Sequence, residues 1–231
     1  MGLFSFTYLN GHLIARIFGV KLAFNLSGNM LAARFYNNNL LMVYPNGKTR
    51  KIFFAPRGLK IIFKGKNSTI KLHKHSRYRD VTIETYNNVS VEILKTKTLG
   101  IEKTRFELLD DAKLFIDENF SMAGGFVTVG MNTSLKIGKD CMFSNDIVIR
   151  THDGHIIMDD NAGSIINTPK NIVIGNHVWL AKFVTVLKGV SIPDNCVVAT
   201  HAVLTSSIDE PAVILAGIPA KIVKRNIRWH I

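Results

Sequence analysis

The sequence predicts an all-β chain wound into stacked three-sided coils. From Ile174 onward every sixth residue is aliphatic: Ile174, Leu180, Val186, Ile192, Val198 and Leu204. The fifth place of each hexad is apolar too, through Val178, Val184, Val190, Cys196, Ala202 and Ile208. The residue after each lead (Gly175, Ala181, Leu187, Pro193, Ala199, Thr205) is mostly small. A period of six fits neither the 3.6 of a helix nor the 2 of an amphipathic strand. It fits a short strand plus a tight corner. Three such sides close one coil, and coils stack by backbone pairing at about 4.8 Å. No coil buries its inward face alone, so stacking supplies the core. Residues 174–208 are therefore expected to form two coils, with Ile174, Val186, Ile192 and Val198 inside.

Residues 1–60 carry no hexad rhythm. ARFYNNNLLMVYP and TRKIFFAP alternate like strands, with NNN and NGK as turn signals, and predict a small β-rich cap. The coil region is expected over 61–210. STIKL, DVTIET, VSVEIL and KLFIDE read as strands at irregular spacing, hence degenerate early coils. Ile137, Phe143 and Ile149 bring in the rhythm, and residues 151–171, THDGHIIMDDNAGSIINTPKN, drop it again. That segment is rich in Asp, Asn, Gly and Thr and reads as a loop excursion; long loops in compact domains tend to be functional. Residues 211–231 are basic and contain IPAKIVKRNIRW, which predicts a closing strand or short helix.

The chain has 231 residues, 47% hydrophobic and 20% charged, enough apolar content for a core and too little charge for disorder. The net charge of +12 points to an anionic partner, although a solvated basic surface accounts for it equally well. Cys141 and Cys196 have no metal-ligand spacing, so no metal is expected, and two cysteines fit a reducing compartment. The apolar opening, MGLFSFTYLNGHLIARIFGVKLAFNL, is broken by His12, Arg16 and Lys21. It lacks the run of about 18 apolar residues that a spanning helix needs. No small-residue cleavage site is evident. A cytoplasmic protein without a transmembrane segment is expected, with weak attachment to the inner membrane through the first 25 residues as the alternative. Neither GxxxxGK[ST] nor GxGxxG occurs, and no nucleic-acid-binding module is visible, so nucleic acid is not an expected partner.

The stretch IGNHVWLAKFVTVLKGVSIPDNCVVATHAVL, followed by AGIPAKIVKR, resembles the hexapeptide-repeat acyltransferases. Within them it is most similar to the bacterial O-acetyltransferases of capsule and surface polysaccharide. The resemblance runs from about Ile137 to Arg225. It implies a left-handed parallel β-helix, a homotrimer and an active site between neighbouring subunits. It also implies acetyl-CoA as cosubstrate and a glycan hydroxyl as acceptor. Two positions depart from the family pattern. Lys188-Gly189 stands where Pro-Gly is common, and Ala199-Thr200-His201 replaces a small Gly-Ala-Gly-Ser corner.

Acetyl transfer to a hydroxyl requires a base and donors for the oxyanion. Histidine suits the base role. His155 lies in Thr151-His152-Asp153-Gly154-His155, similar to the segment in which relatives carry their catalytic histidine, with a tryptophan after the loop that is Trp179 here. Without the resemblance His155 is an ordinary surface histidine. His152 is the rival, either orienting a substrate or facing solvent. Asp153 either holds an imidazole tautomer or serves an Asp-Gly turn. Trp179 takes an outward place that calls for cover by a neighbouring subunit or an acceptor sugar. His177 is expected to be structural, and His73, His75 and His201 to lie at the surface. For the cofactor, the resemblance implies backbone contact with pantetheine near Ala181, Ala199 and Ala216. Lys221, Lys224 and Arg225 suit the adenosine 3′-phosphate, against a plain solvated charge run. The net charge favours an anionic glycan. The alternatives are an N-acyltransferase acting on an amino sugar nucleotide or small amine, and a non-catalytic β-helix scaffold, against which the His155–Trp179 pair counts.

Overall fold

The computed structural model describes residues 37–230, together with the backbone of three antiparallel strands, Phe4–Leu9, His12–Ile17 and Val20–Phe24. Much of the expected 1–60 cap, including the linking segments of the first 25 residues, therefore lies outside the described residues. The described elements are all strands.

Parallel strands stack on three faces. The first face carries Asn39–Val43, Thr69–His73, Ser90–Ile93, Lys113–Ile116, Ser134–Ile137, Ile172–Ile174 and Ser191–Ile192. The second carries Ser121–Met122, Met142–Phe143, Trp179–Leu180, Val197–Val198 and Ile214–Gly217. On the third are Leu59–Phe63, Gly125–Val129, Ile147–Arg150, Thr185–Val186 and Val203–Leu204. Two long strands, Tyr78–Thr85 and Ile101–Leu108, span both of the latter faces: Ile101 pairs with Met122 while Thr104–Leu108 pair with Gly125–Val129. Parallel pairing on the first face reaches back to Asn39–Val43, inside the stretch read from sequence as a cap. The NGK turn closes an antiparallel hairpin between that strand and Thr49–Lys51, with Gly47 at φ 76°.

Each face contributes an inward column. On the first, Leu72, Ile93, Ile116, Ile137, Ile174 and Ile192 lie in register. The second has Ile101, Met122, Phe143, Leu180, Val198 and Leu215, and the third has Phe106, Val127, Ile149, Val186 and Leu204. All are at most 2% exposed, so Ile174, Val186, Ile192 and Val198 point inside as the hexads require. Full burial of such a side chain is worth about 1.5–3 kcal/mol, which makes these columns the main source of stability.

The corners need left-handed residues, which after glycine Asn and Asp tolerate best. Asn37, Asn67, Asn88 and Asp111 take φ of 55–61° at successive corners. Their side chains form a ladder, each amide donating to the next residue's oxygen at 3.1–3.2 Å. At the other end Ile214–Gly217 pairs antiparallel with Ala220–Lys224 and closes the stack. The closing segment is thus a strand hairpin. The chain beyond it folds back over a corner, where Trp229 is buried.

Candidate functional site

The excursion leaves the third face after Ile147–Arg150 and rejoins the first at Ile172–Ile174. The Lys170 N–H donates to the Thr151 carbonyl at 2.9 Å and closes its neck. Its tip is an antiparallel pair, Met158–Asp159 with Ser164–Ile165, and Ile156, Ile157, Ile165 and Ile166 are exposed around it. Between excursion and coil lies a cleft of about 470 Å³, lined by Leu109, Met131, His152, His155, Ile165 and Pro169 among others.

His152 and His155 line this cleft in different ways. The Nδ1 of His152 accepts the Gly154 N–H at 3.0 Å, which places the ring proton of the neutral imidazole on Nε2. That Nε2 is buried, with no hydrogen-bond partner among the described residues. The ring lies on Gly130, where an added Cβ would meet the ring's Cγ and Cδ2 at 3.0 Å and the Cβ of His152 at 2.9 Å, so glycine makes room for it. Burial, and next the positive charge of Arg150, push the His152 pKa below its ordinary value. His155 is exposed, and its carbonyl accepts the Asn167 Nδ2–H at 2.7 Å.

Asp153 does something that neither sequence reading foresaw. Its carboxylate accepts hydrogen bonds from the Lys188 ammonium and, at 3.0 Å, from Asn167 Nδ2. The Lys188 hydrogen bond is the main cause holding the carboxyl below the usual carboxylate range. Lys188 Nζ also donates to the Asn167 carbonyl at 2.9 Å. Lys188 was visible in the sequence only as a departure from Pro-Gly. Asn167 had no signal, because its partners are assembled only when the excursion folds back.

Trp179 lies on the second face, in register between Met142 and Val197, and is half-buried. Its ring centroid is 6.0 Å from that of Trp229. Trp229 stacks on His177 at 4.0 Å and donates its Nε1–H to the His177 carbonyl at 3.0 Å. That corner joins the first and second faces, whereas the excursion springs from the junction of the third and first. Trp179 is not among the residues lining the His155 cleft. Within one chain the two side chains stay apart.

The three alanines do come together. The Ala181 N–H bonds the Val198 carbonyl and the Ala199 N–H the Leu215 carbonyl, so Ala181, Ala199 and Ala216 form a column at the end of the second face. Lys221 pairs with Ala216 across the closing hairpin. Lys221 and Lys224 are exposed, while Arg225 Nε binds Glu210 Oε2 at 3.0 Å. At the neighbouring corner His201 stacks on Phe183 at 4.5 Å, a bulkier surface than the family's small residues would make. Among the described residues there is no group of three or more His, Cys, Asp or Glu placed to hold a metal ion. No helix among them is long and apolar enough to cross a membrane.

Three-sided coils with six-residue sides and one long excursion define the left-handed β-helix of the hexapeptide-repeat transferases, and the chain belongs to this family. The family model described as bacterial transferase hexapeptide (six repeats) matches residues 171–206. WbbJ of Escherichia coli K12, provisionally named a lipopolysaccharide biosynthesis O-acetyl transferase, is 30% identical over 147 residues, covering 60% of this chain and 74% of WbbJ. The polysialic acid O-acetyltransferase of Neisseria meningitidis is 47% identical over 122 residues, 53% of this chain and 57% of that protein. The protein of the same name from Escherichia coli O1:K1 is 33% identical over 118 residues, 51% of this chain and 38% of its own length. The chain thus spans about half the length of these two relatives. The crystal structure of the polysialic acid O-acetyltransferase OatWY matches with a TM-score of 0.54 at 29% identity, over 84% of this chain and 88% of that one. The polySia-specific acetyltransferase NeuO matches with a TM-score of 0.61 at 22% identity, over 78% and 85%, a likeness of fold alone.

Proposed function

We propose that this protein moves an acetyl group from acetyl-CoA to a hydroxyl of an acidic capsular or other surface polysaccharide, acting as a homotrimer. The observation that carries the reading is the 47% identity to a polysialic acid O-acetyltransferase. The excess of 29 Lys and Arg over 17 Asp and Glu agrees with a polyanionic acceptor.

In this mechanism His155, exposed in the cleft, takes the proton of the acceptor hydroxyl as its oxygen attacks the thioester carbonyl. The tetrahedral oxyanion collapses, the carbon–sulfur bond breaks, and the proton passes from His155 to the departing thiolate. His152, its Nδ1 held by the Gly154 N–H, lines the same cleft and orients the acceptor through the packing of its ring. Trp179 of a neighbouring subunit supplies the second wall. The Ala181–Ala199–Ala216 column offers backbone to the pantetheine arm, and Lys221 and Lys224 take the phosphate end.

The test is incubation with acetyl-CoA and a panel of acidic and neutral glycans, following free thiol and locating the ester by NMR. Acetyl ester on a sialic acid polymer, with acceptor KM rising as salt is added, is the expected result. Transfer only to amines, or no transfer to any glycan, would refute the reading.

A further inference from the structure

We infer that Lys188 is a positioning residue for acyl transfer: it rises from the following coil and clamps the two arms of the excursion around His155. The inference rests on the proposed catalytic role of that loop.

Lys188 follows Thr185–Val186, the strand that pairs with the outgoing strand Ile147–Arg150. It therefore stands beside the point where the excursion departs. Its ammonium donates to Asp153 on the outgoing arm and to the Asn167 carbonyl on the returning arm. Asn167 completes the clamp. Its Nδ2 donates to the Asp153 carboxylate and to the His155 carbonyl, and its Oδ1 accepts the Ile157 N–H at 2.7 Å. One ammonium thus joins residues from three parts of the chain, and His155 sits in the span between the joined points. The side chain of Lys188 is 19% exposed and that of Asp153 37%, so the weight of the clamp rests on the second bond of the ammonium, to the Asn167 carbonyl, as well as on the ion pair. Since the His155 side chain is exposed, its placement is carried by its backbone, and the backbone bond that fixes it comes from Asn167.

The variants are Lys188→Met, which keeps length and removes charge, Lys188→Arg, Asp153→Asn and the double Lys188→Met/Asp153→Asn. Each is assayed for amide hydrogen exchange over residues 153–157, for kcat and for acetyl-CoA KM. Lys188→Met should speed exchange in that segment and lower kcat by roughly 10–100-fold, the scale of a misplaced catalytic group, with acetyl-CoA KM nearly unchanged. Lys188→Arg should restore part of both. Asp153→Asn should act in the same direction as Lys188→Met, and the double variant should lose less than the sum of the two, because the Lys188–Asp153 contact is common to both. Unchanged exchange in Lys188→Met, or additive losses in the double, would overturn the clamp. Faster exchange with full kcat would instead overturn the loop's part in catalysis, so the two failures are distinguishable.

Discussion

Thr133 and Thr151 place their hydroxyls 2.7 Å apart in a buried pair under the root of the excursion. Thr133 donates to the Gly130 carbonyl at 2.7 Å and Thr151 accepts the Gly130 N–H at 2.6 Å, so both hydroxyls and both backbone polar groups of Gly130 satisfy each other away from water. Thr151→Val keeps the shape and strands the Gly130 N–H. It should cost about 1–3 kcal/mol in urea unfolding, the penalty for a buried donor left unpaired. Hydrogen exchange at Gly130 should accelerate with it, and a neutral substitution would show that the pair does not anchor the loop.

The two histidines of the cleft should separate kinetically. His155→Ala should lower kcat by about 10²–10⁴-fold, the usual worth of general-base help, with acetyl-CoA binding kept. His152→Ala should act mainly on acceptor KM, since its Nδ1 is already engaged by Gly154. A dead His152 variant beside an active His155 variant would reverse the two roles.

The separation of Trp179 from the His155 cleft within one chain predicts intersubunit complementation. His155→Ala and Trp179→Ala should each be weakly active alone. Trimers reassembled from a mixture of the two should regain part of the activity, because some sites then join an intact histidine to an intact tryptophan from another chain. Sedimentation of the wild type should show a trimer. Full activity of a monomer, or no recovery on mixing, would place the whole site in one chain.

The depressed pKa of His152 sets a pH dependence of stability. Its folded value lies below the ordinary value near 6.5, so the unfolded chain takes up the proton first as pH falls. Its contribution is whole above about pH 6.5 and is lost as pH falls through the folded value. Urea midpoints measured from pH 7.5 down to 5 should fall more steeply for the wild type than for His152→Gln. Equal slopes would show that the imidazole is not held neutral by its surroundings.

The coils from Ile174 onward were legible because their repeat is a clean multiple of six: Asn176 bonds Asp194 across 18 positions. The earlier coils were harder to read because Asn119 bonds Asp140 across 21 positions. The extra residues go into corners and into strands that bend round them, as Ile101–Leu108 does, and they throw the hexads out of phase without disturbing the inward columns. Asn39–Val43 was hidden as a coil strand for a related reason. An alternating strand next to a turn signal looks the same whether its partner is the following hairpin strand or a parallel strand further along, and here it has both.

By itself the sequence determined which side chains point inward and where the rhythm breaks, because a buried aliphatic at every sixth place has only one self-consistent burial. With the family resemblance it also singled out His155. The tertiary structure alone decided who holds that residue. Lys188 reaches Asp153 across 35 positions and Trp229 reaches the His177 carbonyl across 52. A hydrogen bond depends on where two groups end up in space, and in stacked coils neighbours in space are whole turns apart in the chain. No local pattern announces such partners, so the side chains that steady the proposed base and the ring beside Trp179 emerge only when the coils are stacked.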